Sequence, residues 1–295
     1  MILAITGGTG FVGTHLIDRA IAAGHDVRAL TRRPQPERTG VTWIAGDLAD
    51  PGALAAGADA IIHVAGVVNA PDRAGFATGN IDGTRTILAA AQRAGVGRFV
   101  HVSSLSAREP QLSDYGWSKR EAERLVEASA FDWTIVRPTA IYGPGDMEMR
   151  DLFRAAKLGL AFLPPPGLMS AVEVGDLARL LIILASTGDH RTVYEVDDGR
   201  AWTHVDFARA LGAAVGRQVM PMHLPRPLML AGARLDRLLR GGKAKLTLDR
   251  VGYLCHPDWS ATPDRRPPPA LWAPLVDTAA GLAATARWYR ANGLL

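Results

Sequence analysis

Two rhythms of apolar residues alternate through the first half of this chain. Short apolar runs fit buried strands, and longer stretches with apolar residues three and four apart fit helices. The first run, Ile2–Thr6, leads into glycines at positions 7, 10 and 13. A helix over 10–23 follows, with apolar residues at 12, 16, 17, 20 and 21. The pattern then predicts strands at Asp26–Thr31, 42–45, 60–65, Arg98–Val102 and 133–137, with helices over 80–94 and 114–130. Apolar strands separated by helices of this length imply an α/β fold, a doubly wound parallel sheet covered on both faces. Right-handed crossovers put its ligand cleft at the C-terminal ends of the strands.

After residue 138 the rhythm breaks. Gly143-Pro144-Gly145 and Leu163-Pro164-Pro165-Pro166-Gly167 punctuate loops. Two further strands are expected, near 171–174 and 192–196. Prolines between 257 and 274 suit an extended crossing segment, and 275–295 reads as a helix. These pieces predict a small C-terminal lobe that walls off a substrate pocket. Met147, Met149, Phe153, Phe162 and Met169 are its candidate liners, with ordinary core packing the alternative for each. The stretch 224–239 mixes leucines with Arg226, Pro227, Arg234, Asp236 and Arg237. It reads as an amphipathic helix packed on the core, with a membrane surface or a partner as the alternative.

Composition narrows the class. Of 295 residues, 48% are hydrophobic and 21% charged, which suits a folded α/β chain and excludes a disordered one. Cys255 is the only cysteine, so neither an internal disulfide nor a cysteine metal site can form. The histidines lack metal-ligand spacing, and no metal is expected. The net charge of +4 is spread along the chain without interleaved aromatics, so no nucleic-acid module is read. The apolar run 177–184 is far shorter than the ~20 residues of a membrane span, and Arg179 interrupts it. The chain opens on a core strand, so no signal peptide is expected and the expected location is cytoplasmic.

The chemistry begins at the glycines. A strand that turns at once into a helix presents unpaired N–H groups and a partial positive charge, which attract phosphate. Gly7 permits the turn, Gly10 keeps the space for a pyrophosphate clear, and Gly13 lets the helix lie close to the sheet. Further on, Tyr115 and Lys119 stand four residues apart and share a helix face. A phenol is a weak acid at neutral pH, and a neighbouring ammonium favours its phenolate. Such a pair exchanges protons with an alcohol or a carbonyl. Ser103 and Ser104 end the strand before this helix, where a hydroxyl can hold a substrate oxygen or simply shape a turn. His63 and His101 fall in strands and read as core or cleft residues with satisfied nitrogens. Tyr142 reads equally as a cleft or a loop-packing residue.

Seven motifs carry a resemblance: TGGTGFVG at 6–13, GDL at 46–48, HVAG at 63–66, NIDGT at 80–84, VSS at 102–104, YGWSK at 115–119 and RPTAIYGPGD at 137–146. In this order they resemble the extended short-chain dehydrogenase/reductase superfamily. That group includes nucleotide-sugar epimerases and dehydratases, 3β-hydroxysteroid dehydrogenases and dihydroflavonol-type reductases. The resemblance implies a Rossmann fold, with an NAD(P)-binding core over 1–145. The remaining core elements and the substrate-binding lobe fall in 146–295. It implies that Gly7, Gly10 and Gly13 hold the pyrophosphate, that Thr9, Phe11 and Val12 also bind the cofactor, and that Asp47 and Leu48 border the adenine. Ala65 and Gly66 line the ribose side, Asn80 supports the active-site helix, and Pro138 lies beside the nicotinamide. Ser104, Tyr115 and Lys119 are the implied catalytic residues, and Lys119 also binds ribose. A homodimer through the helices at 80–94 and 114–130 is a further implication.

The cofactor follows from charge. NAD sites usually carry a carboxylate at the end of the second strand. Here that strand ends in Arg32 and Arg33, with Asp26 at its other end, so NADP is favoured over NAD. Only eleven positions separate Ser104 from Tyr115, a short loop that argues against nucleotide-sugar recognition and for a more open, apolar pocket. The reading is an NADP(H)-dependent oxidoreductase that interconverts a secondary alcohol and a ketone on a small-molecule substrate. The alternatives are an epimerase or dehydratase with tightly held cofactor, and a non-catalytic NAD(P)-binding sensor or accessory subunit.

Overall fold

The computed structural model describes residues 1–187 and 191–295. Two compact units are built from interleaved segments. The first comprises Met1–Pro138, Val174–Val196 and Pro267–Trp272, and the second comprises Thr139–Glu173, Asp197–Arg266 and Ala273–Leu295.

The first unit holds a seven-stranded sheet. Its strands are β1 (Ile2–Thr6), β2 (Asp26–Thr31), β3 (Val41–Ala45), β4 (Ala60–His63), β5 (Arg98–Val102), β6 (Asp132–Pro138) and β7 (Thr192–Val196). They lie in the order β7-β6-β5-β4-β1-β2-β3. Every neighbouring pair is parallel. The order reverses between β1 and β4, the point where doubly wound sheets bind ligands. Its longer helices are α1 (Phe11–Ala22), α2 (Gly83–Arg93), α3 (Asp114–Glu127) and α4 (Val174–Thr187). Ala4, Ile61, Phe99 and Ile135 from successive strands form one core with Ile87 and Ala91 of α2 and Val126 of α3. On the other side α1 packs on α4, which also meets β4 and β5.

The strands of this unit and helices α1, α2 and α3 agree with the hydrophobic rhythm to within three residues at every boundary, whereas α4 was not expected. At its start α2 lies three residues from the expected position. A wide π-type turn over Ala77–Asp82 precedes it, so Asn80 sits on an irregular turn rather than in a regular helix.

The second unit holds the expected strand near 171–174 and the expected helices near 224–239 and 275–295, with other short strands that the rhythm does not reveal. Ala140–Tyr142 pairs with Ala171–Glu173, and Leu160–Leu163 pairs with Met220–His223. Leu168–Met169 lies between Trp202–Thr203 and Asp258–Trp259. Only two strands were expected after residue 138, and one of those is β7 of the large sheet. Strands of two to four residues are too short to show a period of two. Besides the helix Arg150–Lys157, this unit contains α5 (His204–Val215), α6 (Arg226–Arg240), α7 (Leu248–Leu254) and α8 (Thr278–Ala291). Among the described residues no helix is long and apolar enough to cross a membrane.

Two sequence expectations change here. Tyr142, Met149 and Phe153 are buried in one cluster with Trp202, Leu282 and Tyr289, and Met169 packs against it. Tyr142 fits so closely against α8 that a Cβ at Gly281 would lie 2.7 Å from its hydroxyl. Core packing therefore accounts for these four residues, while Met147 and Phe162 are exposed. The α6 helix also departs from expectation. Met229 and Ala233 are buried, but Leu228, Leu235, Leu238 and Leu239 face solvent.

Candidate functional site

Every candidate residue of the first unit follows or closes the C-terminal end of a parallel strand, or projects from a helix beside one. The turn after β1 is the tightest part. Gly7 has φ +72°, and a Cβ there would lie 2.9 Å from the Ala65 amide nitrogen. A Cβ at Gly13 would run into the Gly7 carbonyl. Gly10 caps α1 without any side-chain hydrogen bond, and the first turn carries no acidic residue. The opening N–H groups of α1 therefore keep their capacity for an anion, with Thr9, Phe11 and Val12 around them. The residues present fit a dinucleotide phosphate.

Arg32 and Arg33 follow β2 directly, are exposed, and make no salt bridge among the described residues. Asp47 follows β3. The Asp47 carboxyl accepts hydrogen bonds from the Ala49 and Asp50 amides at 2.8 and 2.9 Å. Those bonds, with a smaller contribution from Arg32, hold it below the usual carboxylate range. Leu48 turns inward against Gly83 at the start of α2. Pro138 closes β6 and is buried.

His63 ties two of these strand ends together. Thr84 gives its hydroxyl hydrogen to the Asn80 carbonyl at 2.6 Å. His63 Nε2, 3.0 Å from Thr84 Oγ1, must then carry the ring proton. His63 Nδ1 accepts from Thr6 Oγ1 at 2.7 Å, and Thr6 Oγ1 accepts from the Ala65 amide at 3.0 Å. This chain requires a neutral imidazole. Burial, helped by the Lys119 charge, lowers the His63 pKa to about 3. His101 stacks on it with ring centroids 5.3 Å apart. Both His101 nitrogens are buried without a hydrogen-bond partner, which corrects the expectation that they are satisfied. Burial, with the Lys119 charge adding to it, keeps this ring neutral as well.

Lys119 is buried on α3, and its ammonium donates to the Val102 carbonyl at 2.7 Å. A Cβ at Gly66 would sit 3.6 Å from Lys119 Nζ and 2.9 Å from Asn80 Oδ1. Gly66 therefore keeps the space beside the ammonium open. Burial lowers the Lys119 pKa to about 8, although Glu123 acts in the opposite direction. Asn80 is the hinge of the arrangement. It accepts from the Val67 amide at 2.7 Å and donates to the Val67 carbonyl at 3.0 Å and to Ser118 Oγ at 2.9 Å. Ser118 in turn donates to the Tyr115 carbonyl at 2.8 Å. One asparagine thus fixes the loop after β4 against the helix that carries Tyr115 and Lys119.

Ser104 begins the short turn after β5. Its Oγ accepts from the Ser106 amide at 3.2 Å and from the Ser106 hydroxyl at 3.0 Å. Both are donations into Ser104, so its own hydrogen remains available to another acceptor. Ser103 Oγ is buried with no partner. Tyr115 is half-buried, one helical turn before Lys119, with Phe76 6.0 Å away ring to ring. The residues missed by sequence reasoning are the ones that support others: Thr6, Thr84 and Ser106. Thr6 and Thr84 lie inside the quoted motifs, but nothing in the pattern reveals their partners.

The NAD dependent epimerase/dehydratase family model matches residues 3–197. The chain belongs to that family. It is 38% identical over 311 residues to a ceramide reductase of Caulobacter vibrioides, covering 100% of this chain and 96% of that one. It is 29% identical over 310 residues to a 2-alkyl-3-oxoalkanoate reductase of Stenotrophomonas maltophilia, covering 90% and 93%. Its fold matches MoeE5 in complex with UDP-glucose and NAD with TM-score 0.75 at 23% identity, over 99% of each chain. This member of the epimerase/dehydratase family is therefore an NAD(P)-dependent enzyme of the reductase, epimerase and dehydratase class.

Proposed function

We propose that this enzyme is an NADPH-dependent reductase that converts a ketone on a long-chain lipid into a secondary alcohol. The observation that carries the reading is the arrangement at the end of β5. Lys119 is anchored on the Val102 carbonyl, and two residues later Ser104 has a hydrogen left to donate. In this reading Gly7, Thr9, Gly10, Phe11, Val12 and Gly13 hold the dinucleotide pyrophosphate. Asp47 and Leu48 border the adenine, and Ala65, Gly66, Lys119 and Pro138 line the nicotinamide half. Arg32 and Arg33 bind the 2′-phosphate, because no carboxylate ends β2 and their guanidiniums form no salt bridge among the described residues.

When bound, the nicotinamide supplies the hydride that the carbonyl carbon receives. Tyr115 donates the proton that the carbonyl oxygen gains. Ser104 donates a hydrogen bond to the same oxygen and steadies the negative charge that develops there. Lys119, one helical turn away, favours the phenolate that Tyr115 leaves behind. The relatives named ceramide reductase and 2-alkyl-3-oxoalkanoate reductase support the reductive direction and a substrate with alkyl chains.

The test mixes purified enzyme with NADPH or NADH and a long-chain 3-oxo lipid. One NADPH should be oxidised per alcohol formed, with NADH much slower. Tyr115→Phe should lower turnover roughly 10³-fold while leaving NADPH binding intact. Arg32→Ala/Arg33→Ala should remove the preference for NADPH. Substrate conversion with no net change in the cofactor would assign the epimerase chemistry instead. Unchanged biological function in Tyr115→Phe would favour a non-catalytic dinucleotide sensor.

A further inference from the structure

We infer that α6 docks this enzyme onto the surface of an anionic phospholipid bilayer. The helix is secured by one narrow face. Met229 and Ala233 are buried against Val251 of α7, with Leu224, Leu246 and Leu254 closing a small separate core. The Asp236 carboxylate accepts from the amides of Lys245 and Leu246 at 2.7 and 2.9 Å and pairs with Arg240 at 3.1 Å. These contacts fix which side of the helix points in.

The opposite side is apolar and uncovered. Leu228, Leu235, Leu238 and Leu239 are 54%, 56%, 81% and 74% exposed, and Ala231 is exposed among them. At about 100° per residue these five positions fall within one arc of roughly 100°. A soluble helix ordinarily turns that stripe toward its core. The arc between the leucines and the buried face carries Arg226, Arg234 and Arg237. All three are exposed and without an ion pair among the described residues. The only carboxylate of the helix, Asp236, is already engaged by its own chain.

An exposed apolar stripe beside unpaired guanidiniums fits an interface of lipid tails and anionic headgroups. A second copy of the chain fits it less well. An antiparallel two-fold pair of these helices sets the arginine flank of one copy against the same flank of the other. A bilayer surface supplies the opposite charge instead. Near such a surface each arginine raises partitioning about fivefold, so three give a preference of about 100-fold for anionic over neutral vesicles. The inference goes beyond the reductase reading and holds whatever the substrate is.

The test is flotation of the full-length enzyme with vesicles of phosphatidylcholine alone or mixed with phosphatidylglycerol. The mixed vesicles should carry the enzyme upward, less so as salt is raised, and the neutral ones should not. Leu235→Glu/Leu238→Glu should abolish flotation. Arg234→Ala/Arg237→Ala should reduce the anionic preference about 25-fold. Both variants should keep the wild-type circular dichroism and NADPH binding, because the altered side chains are exposed. Enzyme that stays in solution with anionic vesicles at low salt would overturn the inference, as would unchanged flotation of the leucine variant. A dimer in light scattering that Leu235→Glu dissociates, with no flotation, would assign the stripe to a second copy and overturn it too.

Discussion

Helices α3 and α6 are both amphipathic, and they depart from the ordinary arrangement in opposite directions. On α3 the inward face carries Ser118, Lys119 and Glu123. On α6 the outward face carries four leucines. Burying polar groups is expensive unless each finds a partner, and each of these three has a hydrogen-bond partner. Lys119 reaches the Val102 carbonyl, Ser118 reaches Asn80, and Glu123 receives Arg137 in a two-pronged pair at 2.8 and 2.7 Å. The outward leucines of α6 have no such partner among the described residues. In the proposed reading, the polar groups turned inward hold geometry for chemistry, and the apolar groups turned outward await a partner outside the chain.

The sharpest way to break this contrast is to remove a partner on α3. Glu123 is fully buried, and it holds both Arg137 and Arg120, the latter at 3.0 Å. In Glu123→Ala, the carboxylate left to Arg137 among the described residues is Glu195 at 3.7 Å. Leaving a buried charge so poorly paired costs about 3–5 kcal/mol. Urea unfolding should show that loss, and Glu123→Met/Arg137→Met should recover most of it. A single-variant loss below 1 kcal/mol would mean that water reaches the pair and that α3 is not a sealed polar face.

Lys119 gives a smaller effect with a distinctive pH dependence. It loses its proton near pH 8 in the folded chain, against 10.5 for an ordinary lysine. Between those values the unfolded chain binds the extra proton, so folding stability rises as pH rises from 8 to 10.5. Below pH 8 the penalty of the buried ammonium is present in full. Lys119→Met removes this penalty together with one hydrogen bond to Val102. The expected result at pH 7 is a variant more stable by on the order of 2 kcal/mol, with the gain gone above pH 10.5. Wild-type kcat/KM should fall as pH rises through about 8, while the stability of the fold increases. Opposite slopes for activity and stability are the mark of a charge held for function. A variant no more stable than wild type at pH 7 would show that the ammonium is comfortable where it sits.

The same two helices show what the sequence makes legible. The glycine turn, the alternation of strands and helices and the placing of Ser104, Tyr115 and Lys119 on the β5 end and α3 follow from periodicity and from motifs in their usual order. Each depends on residues close together in the chain. What pattern does not reveal is reciprocity across distance. His63 meets Thr6 and Thr84, 57 and 21 residues away. Asn80 meets Ser118 at a separation of 38. Tyr142 shows the other limit. A tyrosine beside a strand reads as either a cleft or a packing residue, and only its fit against Gly281 decides. The second unit is the least legible part, because two-residue strands have no period and are held by their neighbours. For α6 the sequence reveals the amphipathic pattern, but not which side turns inward. A stripe of leucines looks the same whether it faces a core or a bilayer.

The smallest expected effect separates the two faces of α6 from each other. Leu238 and Leu239 are 81% and 74% exposed, so truncating them removes little buried surface. Leu238→Ser/Leu239→Ser should change folding stability by no more than about 0.5 kcal/mol. Met229, one helical face away and 6% exposed, is held by Ala233, Val251 and a sulfur contact from Cys255 at 3.8 Å. Met229→Ala should cost about 2 kcal/mol, the low end for a buried methionine, because the cluster around it is small. Chemical denaturation of the two variants side by side reads the difference. If the leucine variant were the more damaged, the stripe would be packed in the folded chain, and α6 would be a core helix after all. If the order holds, the leucines contribute almost nothing to the isolated fold, which is expected of side chains whose apolar partner is supplied from outside.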